Sequence, residues 1–513
     1  MQKEIEIALV PEAIDDEKRI LNEGSKKLRI PVQRIQGFHI RKRSIDARGK
    51  QVLFRLRIVY FIDEPVSLPD FHSKLKDVSQ AKPVIIIGAG PAGLFAAYHC
   101  LERGLKPIVI ERGKKVQDRR RDLAKINREG IVNPESNYCY GEGGAGTYSD
   151  GKLYTRSNKR GDVQQVLGIF VEHGATPDIM VDARPHIGTN KLPHIIESIR
   201  ERIIEFGGEV LFDCKVVDIL EQFGQVEGVL TDAGERILAK HVVVATGHSA
   251  RDIYELFRKK GWLLEAKPFA LGVRIEHPQE IIDQAQYHCS IRPENLPPAY
   301  YSLVEQVDGR GVFSFCMCPG GIIAPCATDH EEIVVNGWSP SKRNNPHANS
   351  GTVIQINLED VKNADADPFA LLDFQREIEQ RAFQVGGGNL VAPAQRMVDF
   401  VQQKVSLDLP INSYKPGTRS VDLREVLPGF VHQALRGALP IFGKKMKGYY
   451  TNEAILVGVE SRTSSPVRIP RDKDSFQHPQ VAGLYPCAEG AGYAGGIVSA
   501  AIDGMNCIDA IQD

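Results

Sequence analysis

Three glycines at fixed spacing, followed by an acid, are the residues with the clearest chemistry in this chain. Residues 83–87 are apolar, Gly88, Gly90 and Gly93 follow, and a second apolar segment, residues 107–110, ends at Glu111. This is the spacing of a dinucleotide-binding turn, in which the glycines allow a tight turn, close approach to a pyrophosphate and close helix packing. The acid accepts hydrogen bonds from a ribose. The predicted contacts are Gly88, Ala89, Gly90, Pro91, Ala92, Gly93, Glu111 and Arg112.

A second glycine turn near the carboxyl end indicates which dinucleotide binds. A short segment, residues 483–487, leads to Glu489 and to a glycine turn that opens a helix of small residues. A helix N-terminus favours negative charge because its first N–H groups are unpaired. FAD proteins resemble this arrangement, with the acid beside the ribityl or pyrophosphate side and the helix aimed at the flavin pyrimidine edge. The predicted contacts here are Glu489, Gly490, Gly495, Gly496 and Ile497.

A third segment supports FAD over NAD. Residues 242–247 (VVVATG) resemble a strand and turn of the same flavoproteins, which places Ala245, Thr246 and Gly247 at the cofactor. FAD proteins of this type also contact adenine through the backbone near the position of Val216. NADH or NADPH stays open as an external reductant, although we see no second fingerprint: the glycines at 386–388 lack a preceding apolar strand and a following helix.

Longer motifs resemble one bacterial family. They are residues 140–153 (YGEGGAGTYSDGKL), 245–252 (ATGHSARD), 315–321 (FCMCPGG) and 459–468 (VESRTSSPVR). The chain resembles, over essentially its whole length, the "NAD(FAD)-utilising dehydrogenase" family of FAD-dependent proteins, within the glutathione-reductase-like flavoprotein superfamily. The resemblance implies FAD and oxidoreductase chemistry, and it does not bring a substrate with it.

Candidate catalytic groups lie in or near these motifs. The loop 141–151 is rich enough in glycine to lie against a flat ring, so we expect Gly143, Gly144 and Gly146 at the cofactor and Lys152 near the flavin; the alternative is a surface loop with a solvated lysine. His248 follows the turn after residue 247, where it can serve as a proton donor or as a structural hydrogen-bonding group.

Recurring arginines raise the question of an anionic substrate. Arg274 is the third catalytic candidate, and Arg251, Arg343, Arg462 and Arg468 stand in similar segments. Guanidinium groups suit carboxylate or phosphate recognition, but they also form internal ion pairs. Both interpretations stay open, and the predicted partner is a small molecule.

Two neighbouring thiols allow a redox interpretation. Cys316 and Cys318 stand before a Pro-Gly-Gly turn, with Cys326 as an alternative partner. The other interpretation is that they pack as small apolar residues. No matching second Cys or His pair stands at zinc-ligand spacing, so we predict no metal site.

Composition narrows the class of protein. The 513 residues carry a formal net charge of -1, with 42% hydrophobic and 25% charged residues, so bulk charge indicates no partner. No apolar segment approaches the ~20 residues of a membrane span. The first residues are acidic where a signal peptide is basic, and nine scattered cysteines argue for a reducing compartment. We therefore predict a cytoplasmic protein without a membrane partner.

The predicted fold is α/β: a discontinuous glutathione-reductase-like (Rossmann-type) FAD domain with an inserted substrate domain and a small N-terminal α+β module. The predicted domains are residues 1–78, residues 79–255 with 448–513, and the insertion 256–447, with 64–80 as a linker. The predicted function is an FAD-dependent oxidoreductase that moves a hydride or electron pair between flavin and a small molecule.

An alternative function comes from the N-terminal module. Residues 18–57 carry a large excess of lysine and arginine, which is typical of phosphate contacts with nucleic acid, so a flavin-containing or RNA-modifying protein is the alternative. Only Phe38 and Phe54 are available there for base stacking. A solvated basic face, or one docked on the flavin domain, competes with that interpretation.

Overall fold

A computed structural model of the chain describes residues 1–67, 73–155 and 160–512; part of the predicted linker 64–80 therefore lies outside the described residues. Its strands are β1 (Gln2–Leu9), β2 (Ile35–Asp46), β3 (Leu53–Ile62), β4 (Pro83–Ile87), β5 (Lys106–Ile110), β6 (Glu209–Leu211), β7 (Val216–Gln222), β8 (Gln225–Thr231), β9 (Arg236–Leu238), β10 (Val242–Val244), β11 (Glu265–Ala266), β12 (Phe269–Pro278), β13 (Val304–Val307), β14 (Arg310–Cys318), β15 (Ile322–Pro325), β16 (Val335–Trp338), β17 (His347–Ile356), β18 (Ala392–Arg396), β19 (Thr418–Ser420), β20 (Ile455–Glu460), β21 (Val467–Arg468) and β22 (Leu484–Pro486). Its α-helices are α1 (Glu17–Leu28), α2 (Pro91–Arg103), α3 (Val116–Glu129), α4 (Val163–Glu172), α5 (Leu192–Glu205), α6 (Arg251–Lys259), α7 (Gln279–Tyr287), α8 (Ala370–Gly386), α9 (Met397–Gln402), α10 (Gly429–Lys445) and α11 (Ile497–Asp509).

The N-terminal module is a three-stranded antiparallel sheet in the order β1-β3-β2, with α1 packed on it. Alternation of apolar and polar residues along β1 and β3 puts Ile7, Leu56 and Ile58 into a small core. The side chain of Asp16 caps α1 by accepting a hydrogen bond from the Arg19 N–H at 3.0 Å.

Many basic side chains of this module are paired with acids. The pairs within the module are Arg34–Asp63, Arg41–Glu4, Arg48–Asp46, Arg55–Asp46 and Arg57–Glu4. Arg43 reaches out of the module to Asp182 at 2.6 Å and to Asp178 at 2.9 Å. The basic excess seen in the sequence is thus partly neutralised, and Arg43 docks the module on the nucleotide-binding region.

The nucleotide-binding sheet is parallel, in the order β22-β10-β4-β5-β6. α2 and α11 pack against each other within one buried apolar cluster beside this sheet. Residues 209–222 contribute two strands to different sheets, since β6 ends at Leu211 and β7 begins a separate three-stranded sheet with β8 and β9. The sheet order confirms the expected α/β class.

The inserted region forms a seven-stranded sheet in the order β13-β14-β17-β12-β20-β18-β19. β20 belongs to this sheet, and the chain rejoins the nucleotide-binding sheet only at β22. The return predicted at residue 448 is therefore too early, because a fully buried strand such as β20 does not indicate which of two sheets it joins. Among the described residues, none of the helices has the length and apolar character needed to cross a membrane.

Candidate functional site

The candidate site lies where three neighbouring parallel strands end. β4, β10 and β22 pair in register, so their carboxyl ends and the turns after them meet at one edge of the sheet. A cavity at this edge is lined by most of the residues that the sequence predicts at the cofactor. They are Gly88, Gly90, Pro91, Ala92, Glu111, Arg112, Gly144, Gly146, Lys152, Val216, Ala245, Thr246, Gly247, Glu489, Gly496 and Ile497.

The two outer glycines of the first turn have structural reasons of their own. Gly88 has φ of 103°, and a Cβ there would lie 2.5 Å from the carbonyl oxygen of Ala245. A Cβ on Gly93 would lie 1.9 Å from the carbonyl oxygen of Gly88, which confirms close packing of the helix on the turn. Gly93 is outside the cavity lining, as are Ala89, Gly143, Gly490 and Gly495.

Gly90 differs from both. It caps the N-terminus of α2 with φ of -74°, and the nearest atom to a Cβ built there is 4.0 Å away, on Gly144. The fold itself therefore leaves room for a side chain, yet the position is glycine and faces the cavity. A ligand that needs the backbone close, at a helix end with unpaired N–H groups, accounts for it, and a pyrophosphate fits both features.

Glu111 also holds the turn together. Its carboxylate accepts hydrogen bonds from the backbone N–H groups of Ala89 at 2.8 Å, Gly113 at 2.9 Å and Gly141 at 2.9 Å. The acid is 5% exposed and still lines the cavity. The sequence suggested a ribose acceptor, and the structure adds a role in joining the first turn to the glycine loop.

Buried charges fix the glycine loop at the cavity. Arg119 on α3 is fully buried and donates to the carbonyl oxygens of Asn137 at 2.8 Å, Tyr138 at 2.9 Å and Glu142 at 2.8 Å. The Glu142 carboxylate in turn binds Arg200 at 2.6 Å. These contacts position the segment that carries Gly144 and Gly146 against the turn at Gly90.

Lys152 lies in the wall that the glycine loop forms. Its Nζ is 3.7 Å from Asp150 Oδ2 and 3.3 Å from Cys318 Sγ, and Arg343 binds Asp150 at 2.6 Å. Burial alone would lower the pKa of Lys152, but the neighbouring sulfur and carboxylate raise it. Burial would raise the pKa of Asp150, and the two cations instead hold it down at about 2. Lys152 is therefore a protonated cation facing the cavity.

Arg274 lies outside the cavity lining and is 0% exposed. Its Nη1 pairs with Glu460 at 3.0 Å, its Nε donates to Asn349 at 2.7 Å, and its Nη2 donates to the Cys316 carbonyl oxygen at 2.7 Å. Because these groups occupy the guanidinium, Arg274 supports the cavity wall and does not present donors to a ligand.

His248 and Glu489 meet across the cavity edge. His248 follows the turn after β10 and Glu489 follows β22, and His248 Nδ1 is 3.4 Å from Glu489 Oε2. Both side chains line the cavity, at 13% and 31% exposure. The contact joins the turn after β10 to the turn after β22.

A buried ion network joins the nucleotide-binding region to the insertion. Arg251 at the start of α6 and Arg462 after β20 both bind Glu332 and Glu379, with Arg462–Glu332 at 2.6 Å and Arg251–Glu379 at 2.6 Å. These acids hold both guanidinium groups, which supports the internal-pair interpretation of the arginines. Arg468 likewise pairs with Glu265, at 3.5 Å.

Several residues that line the cavity were not predicted from the sequence. Tyr138, Tyr140, Tyr148, Asn336 and Trp338 face the cavity. Tyr138 and Tyr140 stand just before the glycine loop 141–151 and Tyr148 lies within it, so aromatic residues at this loop were an available signal. Trp338 lies on β16 of the insertion, and nothing in the local pattern of that strand marks it as a site residue.

One cluster of metal-ligand type exists among the described residues. Cys487, Asp503 and Cys507 have ligand atoms within 4.8 Å of one another and are buried. Arg471 already binds the Asp503 carboxylate at 2.7 Å. A cation is thus present in this cluster as a side chain, and the cluster lies outside the cavity lining.

Most of the chain is similar to known protein families. Residues 82–256 match a model described as pyridine nucleotide-disulphide oxidoreductase, residues 268–463 match "FAD-dependent protein, C-terminal domain-like", and residues 1–61 match a domain of unknown function. A Clostridium beijerinckii protein named "Uncharacterized protein" is 40% identical over 522 residues, covering 97% of each chain. The chain belongs to the family of that protein. Its matched domains are of the FAD-dependent oxidoreductase type.

More distant likenesses cover parts of the chain. Thiamine thiazole synthase of Aeropyrum pernix is 25% identical over 198 residues, which is 36% of this chain and 60% of that enzyme. Among solved structures, CtdE in complex with FAD covers 83% of this chain and 82% of its own at 11% identity, with a TM-score of 0.32. A geranylgeranyl bacteriochlorophyll reductase-like protein from Thermoplasma acidophilum covers 84% and 78% at 13% identity, with a TM-score of 0.34. The fold assignment rests on the sheet order and the family match.

Proposed function

We propose that the chain is an FAD-dependent oxidoreductase that moves a hydride or electron pair between flavin and a small molecule in the cavity, in line with the "NAD(FAD)-utilising dehydrogenase" resemblance. The observation that carries the proposal is one continuous cavity that joins the glycine turn of α2, the N-terminus of α11 and a wall from the inserted sheet. When bound there, FAD supplies the two-electron chemistry, and the protein supplies placement and electrostatics.

The turn residues bind the cofactor in this proposal. Backbone N–H groups at the start of α2 hold the pyrophosphate, and Glu111 and Val216 contact the adenosine part. The N-terminus of α11, capped by Gly496, favours negative charge on the ring. The three-part domain division stays part of the proposal, with the insertion extended through β20.

His248 and Lys152 are the proposed catalytic residues. Glu489 orients the His248 ring through Nδ1, so that the imidazole can hold or move a proton at the substrate. The Lys152 ammonium stabilises negative charge that develops on substrate or cofactor. Arg274 is proposed as a positioning residue, because it acts on the wall through Glu460 and Cys316.

The substrate is proposed to be a small molecule, with NADH or NADPH as an external reductant. Arg343 and Arg462 already bind carboxylates, so a negative charge on the substrate would be recognised mainly through Lys152. A cytoplasmic location accords with nine cysteines that are all free thiols.

Spectroscopy on the purified chain tests the proposal. We expect a yellow protein that releases FAD, and not FMN, on denaturation, and whose flavin band bleaches when NADH or NADPH is added without oxygen. Gly90→Leu should purify colourless, because the side chain would occupy the pyrophosphate position. Full FAD content in Gly90→Leu, or a flavin that neither nucleotide nor dithionite reduces, would contradict the proposal.

His248→Asn tests the proton role separately from binding. We expect FAD content to persist while turnover falls by about 10²–10⁴-fold, the usual contribution of a general acid or base. Glu489→Gln should give a smaller loss of the same kind. Turnover unchanged in His248→Asn would remove this residue from the mechanism.

A further inference from the structure

Cys316 and Cys318, at the end of β14, differ in their exposure. Pairing of β14 with β17 is regular through Phe315, shifts register and resumes at Cys318. Within this bulge Cys316 has φ of 44°, in the region that side-chain-bearing residues rarely adopt. Bulges beside active sites re-aim side chains. Here the result is that Cys316 is exposed and lines the cavity, while Cys318 is 1% exposed behind it.

The Cys318 sulfur contacts two cations. Lys152 Nζ is 3.3 Å away and Arg274 Nη2 is 3.5 Å away. Ammonium and guanidinium groups at this distance stabilise negative charge on sulfur. Glu460, bound to Arg274, and Asp150, near Lys152, complete the set of charges around the thiols.

The surroundings of Cys316 favour its protonated thiol. Cys316 is exposed to the cavity, but the protein that encloses the cavity desolvates its thiol and raises the pKa of that thiol to about 11, although Lys152 opposes the shift. Cys316 therefore keeps its proton at neutral pH, and the Cys318 sulfur lies beside the Lys152 ammonium and the Arg274 guanidinium. An accessible thiol stands next to a buried sulfur that can take its proton.

We propose that Cys316 and Cys318 are a redox dithiol that reduces a disulfide substrate in the cavity and closes to a Cys316–Cys318 disulfide. The pair lies within residues 268–463, outside the region 82–256 that matches the pyridine nucleotide-disulphide oxidoreductase model. Only the return of electrons to this pair rests on the proposed function.

Thiol–disulfide exchange at this pair conserves atoms and electrons. The Cys316 proton moves to the Cys318 sulfur while the Cys316 sulfur attacks one substrate sulfur, and the substrate S–S bond breaks. The first thiolate takes the proton from Cys318, whose sulfur then attacks Cys316 and releases the second thiolate. The dithiol has lost two electrons and the substrate has gained them. Bound FAD would supply, in its reduced form, the two electrons that return Cys316 and Cys318 to one thiol and one thiolate.

Peptide mapping with oxidised glutathione tests the inference on the full-length protein. The protein is reduced, desalted, exposed to oxidised glutathione, alkylated and digested with trypsin. Cleavage after Arg310 and Lys342 gives one peptide that contains Cys316, Cys318 and Cys326. We expect this peptide to be two hydrogens lighter, with Cys326 alkylated and the other two protected. Alkylation of both Cys316 and Cys318, or a cross-link that includes Cys326, would overturn the proposal.

Variants identify the role of each sulfur. Cys318→Ser should trap one glutathione on Cys316, and Cys316→Ser should give neither cross-link nor adduct. Cys326→Ser is the matched control in the same peptide and should keep the cross-link. If Cys318→Ser does not fold, the wild-type map and Cys316→Ser still decide. A cross-link formed in Cys316→Ser would refute the assignment.

The rate of disulfide closure in Lys152 variants distinguishes an electrostatic role of this residue from a purely structural one. Lys152→Met should slow closure of the disulfide by about tenfold, because the Cys318 sulfur loses the ammonium group that lies 3.3 Å from it, and Lys152→Arg should restore the rate. FAD content and reduction by NADPH are measured on the same wild-type sample. A reducible flavin without cross-link defeats this inference alone, and a cross-link in a protein that binds no FAD defeats the proposed function alone.

Discussion

Gly90→Ala and Gly93→Ala separate the cofactor role of the first turn from its packing role. At Gly93 a methyl group would lie 1.9 Å from a backbone oxygen, so helix and turn must move apart. Overpacking of this kind costs about 1–3 kcal/mol. At Gly90 the nearest atom is 4.0 Å away and φ is -74°, so alanine fits, and the stability of the apoprotein should change by less than about 1 kcal/mol.

FAD binding should respond differently. The methyl group of Gly90→Ala points into the cavity where the pyrophosphate is expected, and losing one charge-assisted hydrogen bond there costs about 1.5–3 kcal/mol. That is about tenfold or more in Kd. Urea unfolding of the apoproteins measures stability, and quenching of FAD fluorescence measures affinity. Wild-type affinity in Gly90→Ala would refute the pyrophosphate placement, and wild-type stability in Gly93→Ala would refute the packing argument.

Three further predictions concern buried and surface charge. Arg274→Met should lower the free energy of unfolding by about 3–5 kcal/mol, because it leaves Glu460 buried without its cation. In denaturant unfolding, the double variant Arg274→Met/Glu460→Gln should regain part of the lost stability. Burial raises the pKa of Glu276 from 4.5 to about 7, so the folded chain binds this proton more tightly than the unfolded chain and loses stability as the pH rises from about 4.5 to about 7. Glu276→Gln should remove up to about 3 kcal/mol of this pH-dependent loss in the free energy of unfolding. Parallel curves of stability against pH for the two proteins would contradict the prediction. Because Arg34, Arg48 and other bases are paired, the full chain should show no salt-dependent retardation of RNA in a mobility-shift assay, and a steep salt dependence would revive the nucleic-acid alternative.

Local signals predicted the nucleotide-binding part well. Glycine spacing and apolar segments specify β4, α2 and β5 because turn sterics and helix packing act over a few residues. The cavity wall was less accessible to sequence reasoning. Trp338 and the bulge at Cys316 depend on how the strands of the insertion pair, and an isolated strand does not specify its partners. The same reason explains the early return at residue 448, since β20 is buried along its whole length and its burial fits either sheet.

The ion network around Glu332 and Glu379 bears on how molecules enter and leave. It connects the start of α6 to the insertion at the cavity, and Glu379 is 0% exposed. A hinge motion that lifted the insertion from the nucleotide-binding region would separate these charges in a poorly solvated interior, at a cost of several kcal/mol. Such an opening would be rare on the time scale of turnover. Small substrates should therefore exchange without this opening, while the dinucleotide remains in place over many catalytic cycles. The dissociation rate of the cofactor should then report the strength of the ion network.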